Sequence, residues 1–255
     1  MNPVLESLFK HQSIRKYKDQ PVEQEKLDLI VKAAQAAPNW CNGQQVSIIA
    51  VKDKERKAKL CHCCFDQPYI NECPVFLIFC ADNYRVHHIY EKNKNKEGGE
   101  KYVKKLDTLI IGAHDAGIAM QNAVVAAESM GLGTVPIGGV RIQSLEVVKL
   151  LNLPKYVIPI VGLCVGYPDA NPGVKPRLPP KAVYFEETYN TANVEKDVAE
   201  FDEEYRKYLG SRSENDRDST WSDSIYGAYC LANIPNQDYE LLKQQGYVEV
   251  ENKEN

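Results

Sequence analysis

Residues 123–141 read AVVAAESMGLGTVPIGGVR, and within this stretch the expected structure changes twice. The alanine-rich first part continues an apolar helical pattern, which the glycines of Gly131-Leu-Gly133 are expected to end. Thr134 to Val140 then reads as a short strand that enters a turn at Gly138 and Gly139. A long helix followed by a strand and a glycine turn, with further strands on both sides, indicates an α+β or α/β chain.

Apolar runs elsewhere predict the strands and helices that surround this stretch. Strands are expected at Val46–Val51, Val75–Ala81 and Val157–Gly166, and the second is apolar on both faces, as a buried central strand would be. Residues 91–105 carry many charges of both signs and are expected to form a solvated loop. Apolar residues at helical spacing predict helices near residues 4–9, 27–34, 110–127, 145–151, 194–208 and 221–232.

Composition and charge argue against several classes of protein. The 255 residues are 44% hydrophobic and 26% charged, and the net charge is -4, so no overall basic field favours nucleic acid or an anionic membrane. The longest apolar stretch, Leu106–Leu132, contains Asp115 and Glu128, which are costly in lipid, so we expect a buried helix and not a membrane span. The N-terminus lacks a basic region followed by an apolar core, so we expect no signal peptide and a cytoplasmic protein.

The chain has eight cysteines, and we expect them to be reduced thiols. A chain of this length does not need a disulfide framework, and a reducing cytoplasm is the simpler environment. Cys61-His-Cys-Cys64, with Cys73 beyond it, could hold a metal, but no second cysteine pair with zinc-site spacing follows, so we expect no metal. Thiols beside a redox site, or incidental cysteines, are the alternatives.

The composition changes after Tyr167. Five prolines lie between Pro168 and Pro180 and predict an extended crossing, and the helices predicted beyond them are too polar to form a core alone. We therefore expect a core of residues 1–180 and a C-terminal helical extension of residues 181–255 within the same structural unit. The extension is expected to lie on another surface, most simply a second subunit.

Three short segments could hold a phosphorylated cofactor. His11-Gln-Ser-Ile-Arg15 offers donors where a helix meets a loop, although a basic surface turn explains it about as well. Pro136-Ile-Gly-Gly139 lets backbone approach a flat ligand, although a plain turn is the simpler explanation. Lys175-Pro-Arg177 is either an anion clamp or a pair of exposed charges in a proline-rich loop.

Other catalytic motifs are missing from the sequence. It contains no Gly-x-Ser-x-Gly elbow, no Walker loop and no zinc-binding histidine pair, and Gly131-x-Gly133 lacks the third glycine of a dinucleotide fingerprint. On motifs alone, a binding or structural protein therefore stays open.

Taken in order, these and other segments resemble one family, the FMN-dependent nitroreductases, and within it the NADPH-dependent, oxygen-insensitive nitroreductase and flavin reductase subgroup. The resemblance implies an α+β fold with a central mixed β-sheet flanked by helices, and a homodimer in which the C-terminal extension wraps the partner subunit. The matching segments keep their order and spacing over almost the whole chain: His11-x-Ser-Ile-Arg15, Ser47-Ile-Ile49, Phe79-Cys-Ala-Asp82, Ala123–Gly133, Ile137-Gly-Gly-Val-Arg141, Gly162-Leu-Cys-Val-Gly166, Lys175-Pro-Arg-Leu-Pro179 and Thr220-Trp-Ser-Asp223.

The same resemblance implies two FMN sites at the subunit interface. Arg212 and Arg217 are expected to bind the 2′-phosphate of NADPH, although the nearby carboxylates of Glu214, Asp216 and Asp218 compete for them. The residues expected to contact FMN are His11, Gln12, Ser13, Arg15, Gln67, Pro136, Ile137, Gly138, Gly139, Lys175 and Arg177, together with Asn39, Trp40 and Cys41, which are expected to come from the partner subunit.

The implied activity is a ping-pong reduction, in which NAD(P)H supplies two electrons and the acceptors are nitroaromatics, quinones, flavins or similar small molecules, with no protein nucleophile. A flavin reductase that supplies reduced FMN to a partner enzyme is the alternative. Gln12 replaces a frequent arginine, Trp40 lies in a stretch that is often serine-rich, and Pro136 replaces an aromatic residue. These departures affect the expected range of acceptors more than flavin binding.

Overall fold

The computed structural model describes residues 1–97, 106–212, 216–231, 234 and 237–248. Two compact units are present. The larger comprises Met1–Asn171 with the described part of Pro235–Asn255, and the smaller is Pro172–Ile234. The boundaries of these units do not fall at residue 180. The division of the chain into a core of residues 1–180 and an extension of residues 181–255 stays a prediction.

Within the described residues, four strands form one sheet: β1 (Val46–Val51), β2 (Val75–Asp82), β3 (Gly133–Ile137) and β4 (Val157–Gly166). Their order is β1-β2-β4-β3, and every neighbouring pair is antiparallel. The parallel part of the expected mixed sheet is a single bridge between Ser13 and Thr134 at the outer edge of β3. All four strands were predicted from the sequence, but β3 ends at Ile137, where the chain turns.

Two apolar cores lie on the two faces of the sheet, because side chains alternate along each strand. On β2, Phe76 and Ile78 face one core, and Leu77 and Phe79 face the other. All eight residues of β2 are buried, as expected for a central strand.

The helices of the larger unit lie around this sheet. Leu241 in the last of them joins a small apolar cluster with Val148 and Ile158, so the chain returns to the larger unit near its C-terminus. These helices are α1 (Pro3–Phe9), α2 (Gln24–Gln35), α3 (Lys54–Cys63), α4 (Tyr69–Glu72), α5 (Tyr84–Lys92), α6 (Leu106–Ser129), α7 (Ser144–Leu150) and α10 (Asp238–Gln244).

Helices α3, α4 and α5 were not predicted from the sequence. Helix α3 begins after Asp53, whose carboxylate accepts a hydrogen bond from Arg56 N at 2.8 Å. Its buried face includes Lys57, whose ammonium donates to the carbonyls of Asn71 and Cys73. A buried lysine breaks the apolar periodicity by which amphipathic helices are recognised. In the predicted loop 91–105, Glu91 and Lys92 belong to α5, and residues 98–105 lie outside the described part of the chain.

Among the described residues, one helix, α6, is long and apolar enough to cross a membrane. Its buried positions recur every three or four residues, from Thr108 through Gly112, Ala116, Ala119 and Ala123 to Ala127. This stripe of mostly small residues packs on the sheet and α2. The sequence prediction of a buried helix agrees with this packing.

The smaller unit contains α8 (Val194–Gly210) and α9 (Trp221–Tyr226) after an extended, proline-rich segment. Phe201 and Tyr205 of α8 are buried, and Phe201 meets the ring of Trp221 edge to face at 5.7 Å between centroids. Thr220 and Asp223 form a reciprocal capping box at the start of α9. This small aromatic core packs the two helices of the smaller unit on one another.

We predict opposite effects of alanine at two glycines of the larger unit. In Gly162→Ala, the added Cβ would lie 2.5 Å from the ring of Phe76, so we expect the free energy of unfolding to fall by about 1–3 kcal/mol. In Gly117→Ala, no atom of the described residues lies within 4 Å of the added Cβ, and alanine favours the helix, so a gain of about 0.5–1 kcal/mol is expected. Urea denaturation measures both, and equal effects would contradict the sheet packing described here.

Candidate functional site

The predicted His11–Arg15 segment lies along the outer edge of β3. Ile14 N donates to Thr134 O at 2.9 Å, beside the bridge between Ser13 and Thr134. Gly133 makes the approach possible, since a Cβ at that position would lie 2.6 Å from Cγ1 of Ile14. The segment therefore extends the sheet by one short parallel piece, and the positions of its side chains are fixed by backbone pairing.

At one end of this segment, His11 contacts a carboxylate of α6. His11 Nδ1 lies 2.7 Å from Glu128 Oε1, and Thr134 Oγ1 donates to the same oxygen at 2.8 Å. Both the imidazole and the carboxylate are largely buried, with 26% and 16% of their side chains exposed. Glu128 was not singled out by sequence analysis, because its role depends on a residue 117 positions away.

At the other end, Arg15 lies beside Tyr69 of α4. The guanidinium carbon is 5.9 Å from the centroid of the Tyr69 ring, a distance typical of a cation–π contact. Burial raises the pKa of Tyr69, and the charge of Arg15 acts in the opposite direction. The Tyr69 hydroxyl donates to the side-chain oxygen of Gln67, whose amide nitrogen donates to Cys64 O at 2.7 Å. Tyr69 thus connects Arg15 and Gln67, two predicted site residues, although no sequence motif indicated Tyr69 itself.

The glycine turn meets Gln67 from the β3 side. After Ile137 the chain forms a short 3₁₀ turn, Gly138–Arg141. Gly139 is buried, and a Cβ there would lie 2.9 Å from Nε2 of Gln67 and 3.0 Å from Cβ of Cys64. Gly138 is exposed, and a Cβ there would meet only the guanidinium of Arg141, at 3.6 Å or more.

Three predicted segments therefore come together at one edge of the sheet. They are the His11–Arg15 segment, Gln67 and the turn at Gly138 and Gly139, linked through Tyr69. At the end of β3, just before the turn, Pro136 is exposed and Ile137 is buried, so Ile137 can offer a ligand its backbone and not its side chain.

Gln12 faces a neighbouring cavity. This cavity of about 660 Å³ is lined by Gln12, Ile14, Lys10 and Glu128, together with residues of the loop after β4. Arg15, Gln67 and the glycine turn do not line it. Glu128 therefore lies between this cavity on one side and His11 on the other.

Asn39, Trp40 and Cys41 lie far from these residues in the same chain. Trp40 N donates to the carboxylate of Asp115 at 3.3 Å, whereas His11 contacts Glu128, further along the same helix. With a rise of about 1.5 Å per residue, the 13 positions between Asp115 and Glu128 separate these contacts by roughly 20 Å. The structure does not bring Asn39–Cys41 and His11 together within one chain.

The loop that follows Trp40 has a strained backbone. Cys41, Asn42 and Gln44 have φ values of 49°, 53° and 50°, in the left-handed region that residues other than glycine seldom adopt. Arg85 stabilises the end of this loop, because its guanidinium donates to Gln44 O at 2.7 Å and to Val46 O at 2.8 Å. Trp40 remains 47% exposed.

The remaining predicted cations belong to the smaller unit. Arg177 donates to the carbonyl of Lys175 at 2.9 Å, so the two lie side by side on an extended backbone. Arg212 lies 5.9 Å from the ring centroid of Tyr208, and Arg217 donates to Ser224 Oγ at 3.3 Å. Of the carboxylates expected to compete for these arginines, Asp218 pairs with Arg206 at 3.1 Å, and Glu214 lies outside the described residues.

The cysteine cluster is part of the apolar core. Cys61 and Cys63 lie on α3, and Cys64 follows it directly; all three are buried. Burial raises the pKa of Cys64 to about 12, so it stays a thiol near neutral pH. Among the described residues, no group of three or more histidine, cysteine and carboxylate side chains is arranged to hold a metal ion.

Comparison with known proteins identifies the family. The model of the nitroreductase family matches residues 8–167, and the model of its C-terminal domain matches residues 175–249. The chain belongs to the nitroreductase family. The resemblance inferred from the sequence motifs is therefore confirmed.

Relatives and solved structures support the same assignment. Over 248 residues, the chain is 44% identical to an FMN reductase [NAD(P)H] of Bacillus subtilis, which covers 97% of this chain and 98% of the relative. It is 36% identical over 247 residues to an oxygen-insensitive NADPH nitroreductase of Salmonella typhimurium, covering 97% and 99%. The solved structure of an oxidoreductase from Bacillus subtilis superposes with a TM-score of 0.91 at 43% identity, covering 97% and 98% of the two chains. The predicted nitroreductase-like α+β fold is confirmed.

We predict that the two adjacent glycines of the turn differ in their tolerance of a side chain. Gly139→Ala should lower the free energy of unfolding by about 1–3 kcal/mol, because the new Cβ collides with Gln67 and Cys64. Gly138→Ala should change it by less than about 0.5 kcal/mol, because the space around it is open. Thermal and urea denaturation of both variants test this, and a strongly destabilised Gly138→Ala would show that the turn is packed differently.

Proposed function

We propose that this chain is an FMN-dependent NAD(P)H oxidoreductase, which reduces nitroaromatics, quinones, flavins or similar small acceptors by two electrons. The observation that carries the proposal is the cluster of Arg15, Gln67 and Gly138 at one sheet edge, in a member of the nitroreductase family. The enzyme class and the cofactor expected from the sequence agree with relatives that are FMN reductases and NADPH nitroreductases.

The residues at this edge fit the chemistry of FMN. A phosphorylated flavin needs cations and hydrogen-bond donors for its polar parts and a flat, open backbone edge for its ring. Arg15 and Ser13 provide the first, and the exposed Gly138, which among the described residues has the Arg141 guanidinium beside it, provides the second. When bound, FMN supplies the hydride-accepting atom, so the protein needs to bind, orient and tune it.

Each residue of the cluster has a defined task in this proposal. Arg15 is held by Tyr69 and offers positive charge to the phosphate or to the pyrimidine edge, where charge favours the reduced form. Gln67 is fixed by Tyr69 and Cys64, so its amide keeps one orientation beside the turn. Lys175 and Arg177 are proposed as further cations for the cofactor. Gln12, Pro136, Ile137 and Gly139 are proposed as further contacts along the cofactor.

A homodimer completes the proposed site. The contacts of Trp40 and His11 on α6 are roughly 20 Å apart, which favours a site in which the Asn39–Cys41 group comes from the partner subunit. Two copies arranged around a two-fold axis could pair the edge at β3 of one with the loop before β1 of the other. The expected extension of residues 181–255 includes α10, which packs on its own larger unit, so we propose that the part up to residue 234 lies on the partner subunit. We propose that the dimer works in the cytoplasm without nucleic acid or membrane partners.

Arg212 and Arg217 are proposed to select NADPH over NADH. The Arg212 guanidinium lies over the Tyr208 ring, and Arg217 donates to the hydroxyl of Ser224; both of these partners are neutral groups. Asp218, one of the expected competitors, is paired with Arg206. Neutral partners leave the positive charge of an arginine uncompensated, so that charge can interact with a 2′-phosphate.

A second candidate function is the supply of reduced FMN to a partner enzyme. The relative from Bacillus subtilis is an FMN reductase, which favours free flavin as an acceptor. In the first function the released product is a reduced small acceptor, and in the second it is reduced FMN. Rapid turnover with quinones but not with free FMN would exclude the supply role.

The proposed function predicts a yellow protein whose flavin absorbance is bleached by NADPH under nitrogen and restored by a nitroaromatic or a quinone. Arg15→Ala should bind FMN about ten- to a hundredfold more weakly, since a charge-assisted contact contributes roughly 1.5–3 kcal/mol. Fluorescence titration of the flavin-free protein measures this affinity.

Arg56→Ala is the matched control for that titration, because Arg56 is an exposed arginine on α3 and should leave FMN affinity unchanged. A colourless protein that takes up no added FMN would end the proposal. Normal FMN affinity in Arg15→Ala would mean that the polar end of the cofactor lies elsewhere.

For the electron donor, we predict that Arg212→Ala raises KM for NADPH about tenfold or more and leaves KM for NADH nearly unchanged, because only NADPH carries the 2′-phosphate. Steady-state rates with both donors measure this. Arg206→Ala removes a neighbouring arginine that is already paired with carboxylates, and it should affect neither donor selectively. Equal losses with both donors in Arg212→Ala would refute the proposed role.

A further inference from the structure

The last turn of α6 contains a carboxylate that is unfavourable for the helix alone. Glu128 lies one residue before the end of α6, where the helix dipole is negative and no basic residue is present in the last turn. Its carboxylate is mostly buried, with 16% of the side chain exposed. The helix dipole disfavours a negative charge at this end, and burial removes water that would solvate it. The carboxylate therefore needs hydrogen-bond partners from the protein.

Two donors from different parts of the fold converge on this carboxylate. Thr134, fully buried on β3, donates to Oε1 at 2.8 Å, and the His11 imidazole contacts the same oxygen at 2.7 Å. Thr134 also accepts the backbone hydrogen bond from Ile14. Glu128 therefore joins the end of α6, the start of β3 and the His11–Arg15 segment at one point.

The contact determines which nitrogen of His11 carries a proton. An ionised carboxylate can only accept hydrogen bonds, so Nδ1 of His11 must be the donor. Nε2 on the opposite side of the ring then remains for a ligand. A carboxylate that fixes a histidine through one nitrogen and thereby orients the other is a general device for aiming imidazoles.

We propose that Glu128 is a positioning residue for the cofactor site: it holds the proton on Nδ1 of His11, so that Nε2 can accept a hydrogen bond from a hydroxyl of the FMN ribityl chain. This inference rests on the proposed function for the identity of the ligand. The tautomer of His11 does not depend on FMN and can be measured without it.

The experiment is ¹⁵N NMR of the imidazole groups in uniformly labelled protein, with His11 identified by His11→Asn. At about pH 8.5, where an ordinary histidine is neutral, wild-type His11 should show a protonated Nδ1 and an unprotonated Nε2. In Glu128→Leu, the spectrum should change toward the Nε2-protonated form. In Glu128→Gln, the retained side-chain oxygen should restore the wild-type pattern.

FMN titrations of the same variants test the second half of the proposal. Glu128→Leu should weaken FMN binding about tenfold, and Glu128→Gln by less than about threefold. In the His11→Asn background, Glu128→Leu should have little further effect, because the two residues act through one contact. Thr134→Val removes the other hydrogen bond to Oε1 and is the matched control: it should leave the His11 tautomer unchanged.

An unprotonated Nδ1 in the wild-type protein would overturn the proposal without any variant, so a poorly folded Glu128→Leu does not prevent a decision. A tenfold loss of FMN affinity from Glu128→Leu in the His11→Asn background would show that Glu128 affects FMN binding without acting through His11. That result would also overturn the proposal. A wild-type protein with the expected tautomer but no FMN binding would reject the proposed function and leave the histidine geometry intact.

Discussion

The pairing of Ile14 with Thr134 is the interaction on which the candidate site depends. It places the His11–Arg15 segment at the edge of β3 by backbone hydrogen bonding, and backbone pairing fixes the positions of the side chains along the segment. His11 then reaches Glu128 of α6, and Arg15 reaches Tyr69 of α4. Two residues four positions apart thereby contact helices that are far apart in the sequence.

The pairing has a steric requirement, which Gly133 meets. Any side chain at this first residue of β3 would lie 2.6 Å from Ile14, which is too short for two carbon atoms. The same reasoning applies at the other end of the strand, where Gly139 allows Gln67 and Cys64 to approach. Gly133 and Gly139 therefore allow close packing of backbone against side chains, whereas Gly138 is exposed.

Most of the sheet and the long helix could be predicted from the sequence, because they are long and strongly patterned. β2 and β4 are continuous apolar runs, and α6 has a buried stripe of small residues every three or four positions. Helix α3 could not be predicted, because Lys57 and cysteines occupy buried positions that the pattern expects aliphatic residues to fill. Tyr69 and Glu128 were missed for another reason: each acts through one contact with a distant segment, and no local pattern records such a contact.

Arg15 at the candidate site and Arg206 in the smaller unit have different kinds of partner. Arg206 in the smaller unit pairs with Glu203 and Asp218, so its charge is largely compensated. Arg15 instead contacts the aromatic face of Tyr69 and a backbone carbonyl, which orient the guanidinium without neutralising it. In a chain with a net charge of -4, an attraction for an anionic cofactor has to be local. An arginine that is oriented by neutral groups provides that local charge, and the rigidity of its neighbours means that little conformational entropy is lost when a phosphate or a flavin edge binds.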